Sequence, residues 1–99
     1  MEKEELIDSY DFCTHHQVEF SFISSLEQSG LIELILLEEK PFIPLSQLQR
    51  AEQFVRMRYE LDINLEGIEA ISALLDKIKS LQQEISVLRN RLRLYETGS

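Results

Sequence analysis

The stretch Phe20-Ser21-Phe22-Ile23-Ser24-Ser25-Leu26-Glu27-Gln28-Ser29-Gly30-Leu31 decides the fold. Phe20, Ile23 and Leu26 recur at three-residue spacing, as one face of a short helix requires, and Gly30 can take the left-handed position that ends it. Upstream, a first short helix is expected from Asp8 or Ser9 to about His16, with Tyr10, Phe12 and Cys13 on it. Asp8 and Ser9 supply N-cap oxygens for its orphan amides. Two short helices joined by a brief connector form a helix-turn-helix.

Downstream, Leu31 to Leu37 is too apolar for a surface loop, Glu38-Glu39-Lys40-Pro41 has turn composition, and Phe42-Ile43 resumes the apolar character. A β-hairpin follows. Pro41 lacks an amide proton, so it is expected at the start of an edge strand, in a two-stranded wing with no third strand. Ser46-Gln47-Leu48-Gln49 fits a capping box, and Leu48, Ala51, Phe54, Val55 and Leu61 mark one face of a third helix over about Gln47 to Leu61. Arg56 with Glu60 and Arg58 with Asp62 stand four apart on its surface, as solvated helix pairs do. Asn64 is a good N-cap, and no proline interrupts Leu65 to Tyr95, so one long helix or two nearly continuous ones extend about 46 Å. The expected fold is mainly α: a winged helix-turn-helix with a small β-hairpin wing and a long C-terminal coiled-coil-like helix. The segments divide as 1–63 for the winged domain, 64–96 for the helical dimerisation or packing segment, and 97–99 for a tail.

In the last helix Ile71, Leu74, Ile78, Leu81, Ile85, Leu88, Leu92 and Tyr95 follow at alternating spacings of three and four, which is a coiled-coil seam. Ile precedes Leu in the first three heptads and Leu92 precedes Tyr95 in the fourth, a β-branched-then-Leu order that favours two parallel strands, and Glu84 would then face Arg89 of the other chain and Arg91 would face Glu96. Homodimerisation is the expectation, because a chain of 99 residues builds one small core. The alternative is that the stripe packs on the chain's own helices.

Formal net charge is −8, and all of it lies in the first 44 residues, which hold ten acids and two bases. Such a balance weighs against a phosphate-binding surface. The expected reading helix has no basic residue and is flanked by Glu19 and Glu27, and the hairpin adds Glu33, Glu38 and Glu39. A surface of this sign suits a cationic protein helix better than a polyanion. Asp11, Glu19, Glu27, Glu38 and Glu39 are therefore the candidate partner contacts. Catalysis is the least favoured class: there is no Gly-rich phosphate loop and no Ser within a tight glycine turn. His15 and His16 point about 100° apart on a helix and with Cys13 lack the paired spacing of a zinc site, so neither metal nor cofactor is expected. Cys13 stands between Phe12 and Thr14 with no nearby base, as a small buried hydrophobe does. The start lacks the pattern of a secretory signal, a single cysteine forms no intrachain disulfide, and no apolar run spans a bilayer; the expected compartment is the cytoplasm.

The order of elements, with Phe12-Cys13 in the first helix and Gly30-Leu31-Ile32 before the wing, resembles the MerR-type helix-turn-helix superfamily. So does the run Leu48-Gln49-Arg50-Ala51, Arg56-Met57-Arg58-Tyr59-Glu60-Leu61 and Asn64-Leu65-Glu66-Gly67-Ile68. Within it the chain looks most like the chaperone modulatory proteins of the CbpM family. That resemblance implies an acidic protein that binds the basic J-domain of a CbpA/DnaJ-type cochaperone and blocks its cooperation with the DnaK chaperone. MerR proteins that bind DNA carry arginines and tyrosines in the second helix, where this chain has Ser21, Ser24, Ser25 and Leu26. Promoter binding by a MerR-type transcriptional regulator is the alternative. The resemblance also implies dimers with antiparallel long helices, against the parallel preference of the flanking charges.

Overall fold

A computed structural model describes residues 4–97. The expected 97–99 tail thus lies outside the described residues except for Thr97, which ends the last helix. In chain order the elements are β1 (Leu6–Asp8), α1 (Ser9–His16), α2 (Phe20–Gln28), β2 (Ile35–Leu37), β3 (Lys40–Pro44), α3 (Leu45–Tyr59) and α4 (Leu65–Thr97). The chain is mainly helical, with one small antiparallel sheet of strand order β1-β3-β2. It divides into two compact units after Glu69.

The third strand is a correction. Leu6, Ile7 and Asp8 pair with Pro44, Ile43 and Phe42, so β3 is central and Pro41 does not open an edge strand. The sheet tolerates its prolines because of phase. The Leu45 amide donates to the Glu5 carbonyl at 2.8 Å, which sets the odd positions of β3 facing β1 and the even ones facing β2. Pro41 then faces the side of β1 just past its end, and its carbonyl accepts the hydroxyl of the fully buried Ser9 at 2.7 Å. Pro44 faces the side of β2 before Ile35 begins. Neither missing amide proton falls where a ladder bond is due.

The wing hairpin forms, with Ile35 paired to Phe42, Leu36 to Pro41 and Leu37 to Lys40. Glu38 (φ 50°) and Glu39 (φ 67°) are both left-handed, as a two-residue type I′ loop demands, although Asn-Gly fills such loops more cheaply.

Helix limits follow from their caps. The Asp8 carboxylate accepts the amides of Tyr10 (2.8 Å) and Asp11 (3.4 Å) to start α1. At the end of α2, Gly30 (φ 76°) donates to Glu27 O and Leu31 to Leu26 O, a Schellman closure, with Leu26 and Leu31 buried. For α3 the expected capping box is not made. Pro44 is the N-cap, Ser46 lies inside the first turn, and the Glu4 carboxylate accepts both its hydroxyl and, at 3.3 Å, its amide. A carboxylate from the N-terminal segment thus serves the positive end of α3. The helix starts at Leu45 and stops at Tyr59, so Leu61 falls outside it and is exposed, while Met57 is buried. The Arg58–Asp62 pair forms at 3.2 Å on the surface.

The Asn64 side chain accepts the Gly67 amide at 2.8 Å and starts α4. Any β-carbon at Gly67 would come within 2.7 Å of the Ile63 side chain, so the turn needs glycine there. Of the two options for the long segment, one continuous 33-residue helix is found, about 50 Å long. In the first unit the core gathers Phe12, Ile23, Leu26, Ile43, Phe54 and Ile68.

Two outcomes follow for stability. Replacing Ser9 by Ala strands the buried Pro41 carbonyl and should destabilise by about 1–3 kcal/mol, read by thermal or urea unfolding. Replacing Glu38-Glu39 by Asn-Gly relieves two left-handed glutamates and should raise the melting temperature by about 5 °C, near 1 kcal/mol.

Candidate functional site

The first turns of α1 and α2 meet through two exposed-side rings. Tyr10 and Phe20 stack with centroids 4.8 Å apart and planes 26° from parallel, and Tyr10 keeps 51% of its surface open. One residue before Tyr10, Ser9 is tied to Pro41 in the wing. Chain contacts therefore link the wing, α1 and the start of α2 into one continuous surface.

The five candidate carboxylates are distributed along it, all exposed. Asp11 follows Tyr10 on α1, and Glu19 precedes Phe20 as the N-cap residue of α2. Glu38 and Glu39 form the hairpin tip, two residues before Pro41 in the case of Glu39. Glu27 sits near the far end of α2, seven residues beyond Phe20 and about 10 Å along the axis. Asp11 and Glu19 are thus the candidate carboxylates next in sequence to the stacked rings, whereas Glu27 is not.

On α2 the hydroxyls are occupied locally. Ser25 donates to the Ser21 carbonyl at 2.9 Å and Ser21 to the Glu19 carboxylate at 3.3 Å. Such bonds satisfy the donors within the helix and leave no Arg or Lys between Glu19 and Ser29 to read phosphates or base edges. Behind this face, Phe22 meets Tyr59 edge-on at 5.7 Å, and the Tyr59 hydroxyl accepts the Glu19 amide at 3.4 Å. A cleft of about 320 Å³ opens there between Ser21, Ser25, Arg58 and Asn64.

The His16 Nε2 lies 3.4 Å from the Glu52 carboxylate, a contact between α1 and α3 that its local sequence did not signal. Cys13 is buried, and desolvation pushes its thiol above the usual range, so it stays protonated and unreactive. Among the described residues no three His, Cys, Asp or Glu side chains are placed to share a metal ion. Nor is any of their helices long and apolar enough to cross a membrane.

In the second unit the seam is open along its length. Leu74, Ile78, Leu81, Ile85, Leu88 and Leu92 are 47–62% exposed, and only Ile71 is partly covered.

The Tyr10–Phe20 stack escaped the sequence reading. Its signal was there: an aromatic in the first turn of each of two consecutive short helices.

A search of the curated proteins and one of the solved structures give no match. The family model described as MerR HTH family regulatory protein matches residues 7–90, from β1 to well into α4. With the helix pair, the wing and most of the long last helix inside that span, the chain belongs to the MerR helix-turn-helix family.

Proposed function

We propose that this member of the family has exchanged nucleic acid for protein: it is a non-catalytic inhibitor of a CbpA/DnaJ-type cochaperone, binds the basic J-domain surface, and blocks its cooperation with DnaK. The observation that carries the reading is the reading helix itself. Glu19–Ser29 holds no base and two exposed carboxylates, and the wing tip beside the first helix adds Glu38 and Glu39. Residues 1–69 carry fifteen acids against five bases, a net −10. Near duplex DNA these groups face one negative charge per about 1.7 Å of axis, whereas against a cationic helix the same field speeds encounter and selects the partner. Inhibition is stoichiometric masking in the cytoplasm, with no bond made or broken.

A homodimer joined through Ile71, Leu74, Ile78, Leu81, Ile85, Leu88 and Leu92 accompanies it. Six of these side chains otherwise stay in water, where each buried methylene is worth about 0.8 kcal/mol on association.

The second reading, a DNA-binding transcriptional regulator, is favoured by the family description alone. One titration separates them: a J-domain and duplex DNA against the protein at several salt concentrations. The cochaperone reading expects the J-domain to bind and the duplex to stay free at physiological salt, with Glu38→Lys and Glu39→Lys together weakening the J-domain at low salt. Sequence-selective capture of duplex DNA in the same isotherms overturns it. For the dimer, Ile78→Asp with Ile85→Asp should give a monomer in sedimentation while the wild type sediments as a dimer; a monomeric wild type at micromolar concentration removes the proposed seam.

A further inference from the structure

We infer that the Tyr10–Phe20 stack is the anchor for an arginine side chain on the partner's cationic helix, an inference that rests on the protein-binding reading above. The rings stack on one another, and Tyr10 keeps about half of its surface open to solvent, where a ligand can reach it. An aromatic face attracts a guanidinium through the ring quadrupole, and this chain uses that contact internally, with Arg50 over Phe54 at 5.6 Å and Arg58 over Tyr59 at 6.0 Å. The helices that carry the stack supply no such cation: between Glu4 and Lys40 there is no Lys or Arg.

Carboxylates surround the rings in the chain. Asp11 follows Tyr10, Glu19 precedes Phe20, and the Asp8 carboxylate accepts the Tyr10 amide at 2.8 Å. A planar guanidinium stacks on a ring and forks to carboxylates at once, which an ammonium does not do. Nucleic-acid bases also stack on aromatics, but their phosphates meet repulsion from the same carboxylates.

The test titrates the protein with a J-domain, with duplex DNA, and with two acetylated alanine-based helical peptides that carry arginines or lysines at the same positions. Tyr10→Leu and Phe20→Leu should each weaken the J-domain and the arginine peptide about five- to tenfold, Tyr10→Phe should retain binding, and the arginine peptide should bind tighter than the lysine one. Unchanged unfolding curves for Tyr10→Leu identify the loss as one of contact. If that variant does not fold, ring-current shifts of the arginine side-chain protons in the wild-type complex give the same answer, and their absence refutes the anchor. Binding that ignores Tyr10→Leu and Phe20→Leu overturns the inference; if Glu38→Lys with Glu39→Lys still weakens the J-domain, the cochaperone reading survives it. Should no J-domain bind, that reading falls, and the arginine peptide decides alone: loss in Tyr10→Leu upholds the anchor, and no binding or no loss overturns it. Duplex DNA that outcompetes the arginine peptide also overturns it.

Discussion

Strand β3 is where the constraints of the first unit converge. It is central in the sheet yet contains two prolines, a combination that a ladder ordinarily rejects because each proline removes a donor. Alternation resolves the conflict: successive residues face opposite neighbours, β1 stops at Asp8, and β2 begins only at Ile35. The vacancy opposite Pro41 is what allows the chain to leave the sheet and begin α1, with the Ser9 hydroxyl taking the free carbonyl. On the other side, Pro44 closes the strand and caps α3 in one residue. Lengthen β1 by one residue, or β2 by two at its start, and a proline would face a partner it cannot bond.

That exit fixes the start of α1 against the wing, and hence the place of Tyr10. The Schellman closure at Gly30 fixes the length of α2 from the other direction, so Phe20 enters at the level where Tyr10 waits. Ser21 and Ser25 of α2 place their hydroxyls on acceptors of the same segment, and the one charged side chain within α2 is the Glu27 carboxylate. Affinity for nucleic acid comes chiefly from cations that displace counterions, and in the proposed reading their absence from α2 removes that contribution. The shape is retained because the core, not the surface chemistry, determines it.

How much was legible in the sequence tracks how local each determinant is. Caps at Asp8, Gly30 and Asn64, the apolar stripe of α2 and the heptads of α4 act within a turn or two, and the sequence reading placed all of them. Strand β1 was missed because three residues show no period, and its pairing spans more than thirty positions. The capping box at Ser46 failed for a related reason: Glu4, forty-two residues away, competes for the same amide and brings a full negative charge. Of the candidate carboxylates, exposure was foreseeable from composition, but which of them share a surface was not. The Tyr10–Phe20 contact brings together the helix starts that carry Asp11 and Glu19, and Glu27 lies near the other end of α2.

The two units also differ in sign. Residues 1–69 are net −10, while residues 70–99, with five bases and three acids, are net +2. Bringing two acidic first units together opposes any dimer, although salt screens that repulsion beyond about 8 Å at physiological ionic strength. Attraction between copies must then come from the apolar side chains of α4, whose exposed seam is the largest reserve of unburied hydrocarbon among the described residues. In the proposed arrangement the net-positive second unit repels a cationic ligand, which leaves the acidic first unit as its attractive surface.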